Sequence, residues 1–397
     1  MSNRTLSKLT RRSLLKSALI SGCPILLDLG GPLAWAVSLP SQKREPFAGG
    51  TRLGTLDFVN EGSVPLDTPQ GSELDGRLYT NFAALNPQEL VTSLDKFYVR
   101  TRASELLPDP ANWQVKVGGL VDRPTNLPIE TLKKAAKPMG VHLMECAGNV
   151  RLTRFALLSA GRWNGVPVSD ILDGAKVKSA ATRVLISGFD RYAKESKTSI
   201  PGASWIFTPE QLKASGAFLA TELNGQPLAK DHGSPVRLVA PGWYGCTCIK
   251  WVNEIALVND EAEATSQMKE YAGRTLQRGV PDLAKDYQPA VIEQAAMPIR
   301  IEKWSIAGKI KYRVVGIAWG GSQPVKVLQI RFNPEEDYVA IENFNHVKND
   351  PWTLWTHTWS PKAPGTYAIR LAVKEPVVQA RRLDSGYYVR TVGIAEV

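Results

Sequence analysis

The sequence predicts an α+β domain followed by an all-β one. Three observations carry this. Between about residues 81 and 290, short strand-like and short helical runs alternate without a regular βαβ beat, which argues against a doubly wound parallel sheet. No G-x-G-x-x-G follows a strand, so a nicotinamide-binding Rossmann domain is unsupported. Beyond residue 290, β-branched and aromatic runs separated by turn signals replace the helical patterning. At 397 residues the chain has room for two or three domains and a substantial core. Its formal charge is +10; the first 36 residues hold +4 of it (Arg4, Lys8, Arg11, Arg12 and Lys16 against Asp28), leaving +6 elsewhere. That excess suits an anionic substrate, cofactor or partner. No basic run carries interleaved aromatics, which argues against nucleic acid.

Residues 1–36 read as an export segment. Thr10-Arg11-Arg12-Ser13-Leu14-Leu15-Lys16 resembles a twin-arginine signal, and Ala34-Trp35-Ala36 fits a small-x-small cleavage site. Pro24, Asp28 and Gly30-Gly31-Pro32 break the apolar run well short of a stable membrane span. Lipidation at Cys23 is a weaker alternative. Twin-arginine export moves folded proteins, so a periplasmic protein loaded with a complex cofactor is expected. Residues 37–80, rich in Gly, Pro and polar side chains, read as an arm rather than a domain.

In order, Asn86-Pro87-Gln88-Glu89 reads as a helix start, and Lys96–Arg102 as a strand with Arg100 and Arg102 on one face. Paired arginines suit a doubly charged oxyanion, although a solvated edge strand has the same pattern. Trp113–Gly119 alternates as a strand and Pro128–Lys137 reads as a short helix. Val141-His142-Leu143-Met144-Glu145 reads as a buried strand that breaks at Cys146-Ala147-Gly148-Asn149. A thiol thus sits at a strand's C-terminal edge, with Arg151 five residues on. By itself the pattern fits a structural cysteine as well as a ligating or reactive thiol.

Arg162–Leu172 reads as a turn and short helix, Val184–Asp190 as a buried strand, and Thr208-Pro209-Glu210-Gln211 as a helix N-cap with Pro at the first position. Then His232-Gly233-Ser234-Pro235-Val236-Arg237, Pro241-Gly242 and Lys250-Trp251 bend the backbone repeatedly around three cationic donors, an arrangement that suits phosphate. Three cysteines remain beyond the signal, an odd number, so at least one is unpaired in an oxidising compartment. There is no C-x-x-C-H for covalent haem and no H-E-x-x-H or C-x-x-C pair for zinc.

Together the Cys146-Ala147-Gly148-Asn149 turn and the ordered set from His232 to Trp251 resemble the sulfite oxidase family of molybdopterin enzymes, over roughly Asn81 to the C-terminus. The resemblance implies a sulfite-oxidase-type molybdopterin domain over 81–290 and molybdenum–molybdopterin as cofactor, with no haem in this chain. It implies Cys146 as the metal's thiolate ligand, and Arg100, Arg151 and Tyr271 around the substrate, with Arg390 reaching the same pocket from the tail. His232, Arg237, Cys248, Ile249 and Lys250 match pterin-phosphate contacts, and Asp190 is a further cofactor match. Where family members often read Arg-Asn-His, this chain has Arg100-Thr101-Arg102, so Arg102 stands where a pterin-binding histidine is expected. Of the double arginine after the Gly-Asn turn only Arg151 is kept.

The activity implied is oxidation of sulfite, or a related sulfur oxyanion, by oxygen-atom transfer, with electrons passed to an external c-type cytochrome. Three other readings stay open: a sulfane dehydrogenase acting on carrier-bound sulfur, a sulfoxide reductase, and a cofactor-free periplasmic binding protein. In the tail, 291–397, the runs Tyr312–Trp319, Val325–Phe332, Trp352–Trp359 and Thr366–Val373 suggest an immunoglobulin-like β-sandwich. The resemblance identifies it as a homodimerisation domain. Trp352, Trp355 and Trp359 read as core or interface rather than a ligand cage.

Overall fold

Strand pairing, more than helix packing, builds this molecule. The computed structural model describes residues 49–71, 76–87, 89–101, 106–189, 203–342, 344–346, 351–375, 383 and 388–397. The export segment, Arg102 and Asp190 lie outside the described residues.

Two sheets and a two-stranded ribbon carry the first part. One sheet orders Gln226–Pro227, Phe218–Leu223, Leu158–Pro167 and Lys137–Glu145, with Arg237–Val239 pairing the second of these. The other orders Ser204–Phe207, Arg183–Gly188, Val252–Val258, Gln114–Gly119 and Thr125–Pro128. It is mixed, because Val252–Val258 runs parallel to Gln114–Gly119. The ribbon pairs Arg77–Leu78 with Val99–Arg100. The longest α-helix among the described residues, Val168–Ala175, has eight residues and buries Val168, Ile171, Leu172 and Ala175 against the sheets. None is long and apolar enough to cross a membrane.

Local chemistry explains several boundaries. Helix Pro209–Ser215 starts where Thr208 Oγ1 accepts from Gln211 N (3.1 Å) and Gln211 Oε1 accepts from Thr208 N (2.9 Å), a reciprocal cap. It ends at Gly216, whose φ of +65° suits a residue without a Cβ. Elsewhere the structure corrects the sequence. No helix starts at Asn86; a 3-10 turn, Phe82–Ala84, is capped instead by Asn81. Arg162–Pro167 is not a turn but the second half of a ten-residue strand, with Gly165 lying against Leu219 O, where a Cβ would sit 2.4 Å away.

The tail forms two antiparallel sheets. One orders Thr51–Leu56, Ala295–Ile306, Lys309–Trp319 and Thr353–Trp359; the other orders Val339–Ala340, Leu328–Arg331, Gly365–Val373, Arg390–Ile394 and Phe58–Val59. Residues 51–59, read as part of an irregular arm, thus contribute an edge strand to each. Tyr367, Ile369 and Leu371 alternate inward, and Trp359 lies between Phe332 (centroids 4.1 Å apart) and Tyr367 (4.9 Å). Trp352 and Trp355 are buried too; Gly316 leaves room for the Trp355 ring, which a Cβ would meet at 2.0 Å. One continuous cluster of buried side chains runs through both parts, from Phe82 to Ile394.

Candidate active site

The strand Lys137–Glu145 delivers Cys146 to the edge of a cleft of about 620 Å³. The turn after it is held tightly. Cys146 N donates to Leu157 O (3.0 Å), Asn149 N to Cys146 O (3.0 Å), and Leu157 N to Asn149 Oδ1 (3.1 Å). Arg100, from the ribbon, points Nη1 at Cys146 Sγ (3.5 Å), and Gly148 N donates to the same sulfur (3.4 Å). Gly148 leaves room for that approach: a Cβ there would lie 1.9 Å from Arg100 Nη1, and the guanidinium would have to shift. The pKa of Arg100 is raised from its ordinary value, with the neighbouring Cys146 as the largest cause, so the guanidinium stays charged. Tyr271, at the end of the short helix Ser266–Glu270, also lines the cleft. Burial first, then Cys146, pushes its phenol up to about 12, so it is a hydrogen-bond donor at any physiological pH.

Further cations line the same cleft. Arg237, 3 % exposed, donates from Nη1 to His232 O (3.0 Å) and from Nη2 to Cys248 O (2.9 Å). Lys250 Nζ donates to Asp231 O and to Arg100 O (3.4 Å). Burial, then the Arg237 charge, lowers Lys250 to about 7. Burial, followed by Lys250 and Arg237, lowers His232 to about 3, leaving a neutral imidazole. Cys146, Cys246 and Cys248 are all free thiols, and burial pushes Cys246 and Cys248 up.

The cleft therefore gathers Cys146, Arg100, Tyr271, His232, Arg237, Cys248, Ile249 and Lys250. Two expected members stand apart. Arg151 turns its Nη2 to Val389 O. Arg390 is locked away: Nε and Nη2 donate to Glu61 Oε1 (3.1 Å) and Oε2 (2.8 Å), and Nη1 to Pro298 O (3.0 Å). That corrects the expectation that Arg390 reaches the pocket; the carboxylate that captures it comes from the arm, where no local pattern announced it. Arg77 was missed for the same reason. It lines the cleft opposite Arg100 in the ribbon and donates to Gly76 O (2.9 Å) and Thr101 O. The only sequence signal was its arginine in an otherwise irregular stretch.

An oxidoreductase molybdopterin-binding domain matches residues 103–266. The chain carries this domain and is similar to sulfite oxidases and nitrate reductases. Mitochondrial sulfite oxidase of Macaca fascicularis is 24 % identical over 94 % of this chain and 74 % of its own length. The NADPH nitrate reductase of Aspergillus niger is 30 % identical over 56 % of this chain. This chain spans only 27–29 % of the length of such nitrate reductases. The sulfane dehydrogenase SoxCD of Paracoccus pantotrophus shares the fold, with a TM-score of 0.60 at 18 % identity, over 84 % of this chain and 93 % of that one. Like that neighbour's fold, this chain has few helices and mixed sheets.

The residues present fit molybdopterin. Among the described residues no three His, Cys, Asp or Glu side chains are placed to hold a metal ion alone, so a metal here must bring ligands of its own beside one protein thiol. Arg77, Arg100, Arg237 and Lys250 line the cleft against one carboxylate, Glu270, and Arg237 Nε is buried without a hydrogen-bond partner among the described residues. Such an excess calls for a phosphate-bearing anion.

The depressed Lys250 gives a pH dependence. Between pH 7 and its ordinary 10.5 the unfolded chain holds a proton that the folded chain lacks, so stability rises with pH across that window and this gain is absent below it. His232 acts the same way between about 3 and 6.5. The thermal midpoint of cofactor-free protein should therefore climb from pH 7 to 9, and sulfate, a dianion of constant charge, should flatten the climb by favouring the protonated amine. An unchanged slope in Lys250→Met would refute the assignment.

Proposed function

We propose that this chain is an exported molybdenum enzyme that oxidises a sulfur substrate, with sulfite as the first candidate, by oxygen-atom transfer. The carrying observation is that Cys146 Sγ, with Arg100 Nη1 at 3.5 Å, lines one cleft together with Tyr271, Arg237 and Lys250. Cys146 would hold the metal; His232, Arg237, Lys250 and the backbone of Cys248 and Ile249 would hold the pterin phosphate, with Arg77 beside them. Bound there, molybdopterin supplies a two-electron centre that exchanges an oxygen atom with sulfur. The overall change is sulfite plus water to sulfate, two protons and two electrons, the electrons leaving singly to an external c-type cytochrome.

The chain's own residues bind and orient. Arg100 steers the anion toward the thiol end and offsets charge there. Tyr271, protonated throughout, donates to an oxygen of the substrate. A second reading, oxidation of carrier-bound sulfur, is favoured by one observation: Arg151 and Arg390 are turned away, leaving fewer guanidinium groups for a free dianion. The twin-arginine pattern at residues 10–16 supports a periplasmic location. The paired tail sheets are the candidate immunoglobulin-like homodimerisation domain.

The test is molybdenum and pterin content of full-length protein exported from a molybdopterin-competent host, followed by cytochrome c reduction with sulfite and with a persulfide-bearing carrier. Stoichiometric metal with sulfite turnover is expected. Turnover on the carrier alone would replace sulfite by the second reading. A folded chain with neither metal nor pterin would leave a binding protein.

A further inference from the structure

We propose that Glu145 is a positioning residue for the Cys146 thiol, held in place from the tail sheet by the indole of Trp319. The cleft chemistry makes no use of Glu145, yet its carboxylate is 1 % exposed one residue before the thiol. Burying a carboxylate is expensive unless its oxygens are satisfied, and an apolar side chain would fill the same space without that cost. Here Oε2 accepts from Trp319 Nε1 at 2.9 Å and Oε1 accepts from Asn149 Nδ2 at 3.3 Å. Asn149 in turn closes the thiol turn through Cys146 O and Leu157 N, so the carboxylate orients the residue that shapes the loop. The Glu145 backbone carbonyl accepts from Gly245 N at 2.6 Å, which joins the same point to the segment carrying Cys248 and Lys250.

Trp319 is a rigid anchor. It is fully buried at the end of the strand Lys309–Trp319, its carbonyl accepts from Gln294 Nε2 at 3.0 Å, and Tyr388 packs edge-on against its ring at 6.1 Å. Tyr388 also stacks on Phe155, which follows the thiol turn, at 5.0 Å. One directed bond across 174 positions therefore lets the tail sheet set where the sulfur sits. This rests on Cys146 as the metal-facing thiol. Groups behind a metal ligand commonly change metal affinity by roughly 10–100-fold when removed.

The test uses Trp319→Phe, which removes one N–H and keeps the ring, with Glu145→Gln and Glu145→Ala. In cofactor-free full-length protein, alkylation of Cys146 by iodoacetamide, read at its own peptide by mass spectrometry, should accelerate several-fold in Trp319→Phe and Glu145→Ala. Glu145→Gln keeps an acceptor oxygen for the indole but none for Asn149 Nδ2, so it should fall between wild type and Glu145→Ala. In loaded protein the same variants should lose molybdenum roughly 10-fold faster and show an altered Mo(V) signal. Trp304→Phe removes an equivalent buried indole–carboxylate bond, to Glu302 Oε2 at 3.1 Å, and should change neither. Wild-type alkylation and metal retention in Trp319→Phe would overturn the proposal, and that variant decides the matter if Glu145→Ala does not fold. A wild-type chain that never takes up molybdenum would overturn the cofactor reading instead, while the alkylation arm still judges the clamp.

Discussion

Cys146→Ser is expected to leave a folded chain that still takes up pterin but oxidises its sulfur substrate at least ~10²-fold more slowly, the scale on which one preorganised charge-handling group acts. The substitution is nearly isosteric, and a hydroxyl can accept from Arg100 Nη1 and Gly148 N as the sulfur does at 3.5 and 3.4 Å. The turn keeps its backbone bonds to Leu157 and Asn149. Arg237, Lys250 and His232, the proposed phosphate contacts, keep their own hydrogen bonds to Cys248 O, Asp231 O and Arg237 respectively, none of which involves the Cys146 side chain. What changes is ligand softness and acidity: a serine oxygen is a poor substitute for thiolate at a metal that already has sulfur donors. Pterin content and turnover should therefore separate. Activity within ten-fold of wild type would remove Cys146 from the metal's ligands.

Glu61→Ala is expected to destabilise the fold by about 3–5 kcal/mol, the usual cost of stranding one partner of a buried ion pair. Both side chains of the Glu61–Arg390 pair are 6 % exposed, and the carboxylate meets the guanidinium with both oxygens. Burial disfavours the charged form of Arg390, Glu61 offsets this, and Arg154 and Arg151 add like charge. Without Glu61, among the described residues the Pro298 carbonyl and the Phe58 ring, 4.2 Å away, remain to stabilise it. The thermal midpoint should fall by roughly 5 °C or more, with Glu61→Gln intermediate. A pocket role for Arg390 makes the opposite forecast: an unchanged midpoint and a changed KM.

Several features were legible because their causes lie within a few residues. Thr208 and Gln211 are three apart and cap each other; Tyr367, Ile369 and Leu371 alternate along one strand; Cys146 sits where a Gly-Asn turn must end a strand. The ordered set His232, Arg237 and Lys250 carried the family because glycine and proline bend that backbone around its cations. The turn expected at Arg162 failed because strand pairing overrides local preference, and the helix expected at Asn86 failed where Asn81 caps a 3-10 turn, Phe82–Ala84, just before it.

The sequence alone thus indicated the class of protein, and it singled out the Cys146 thiol and the basic 232–251 segment that the structure brings to one cleft. The tertiary structure alone decided how charge is distributed around them. Arg390 meets Glu61 across 329 positions, Trp319 meets Glu145 across 174, and Arg77 faces Arg100 only because two short strands pair in that register. The reason is physical. Caps and periodicity act over one or two turns of chain, whereas a buried charge must find its partner wherever the packed sheets bring one, and no local pattern encodes that meeting.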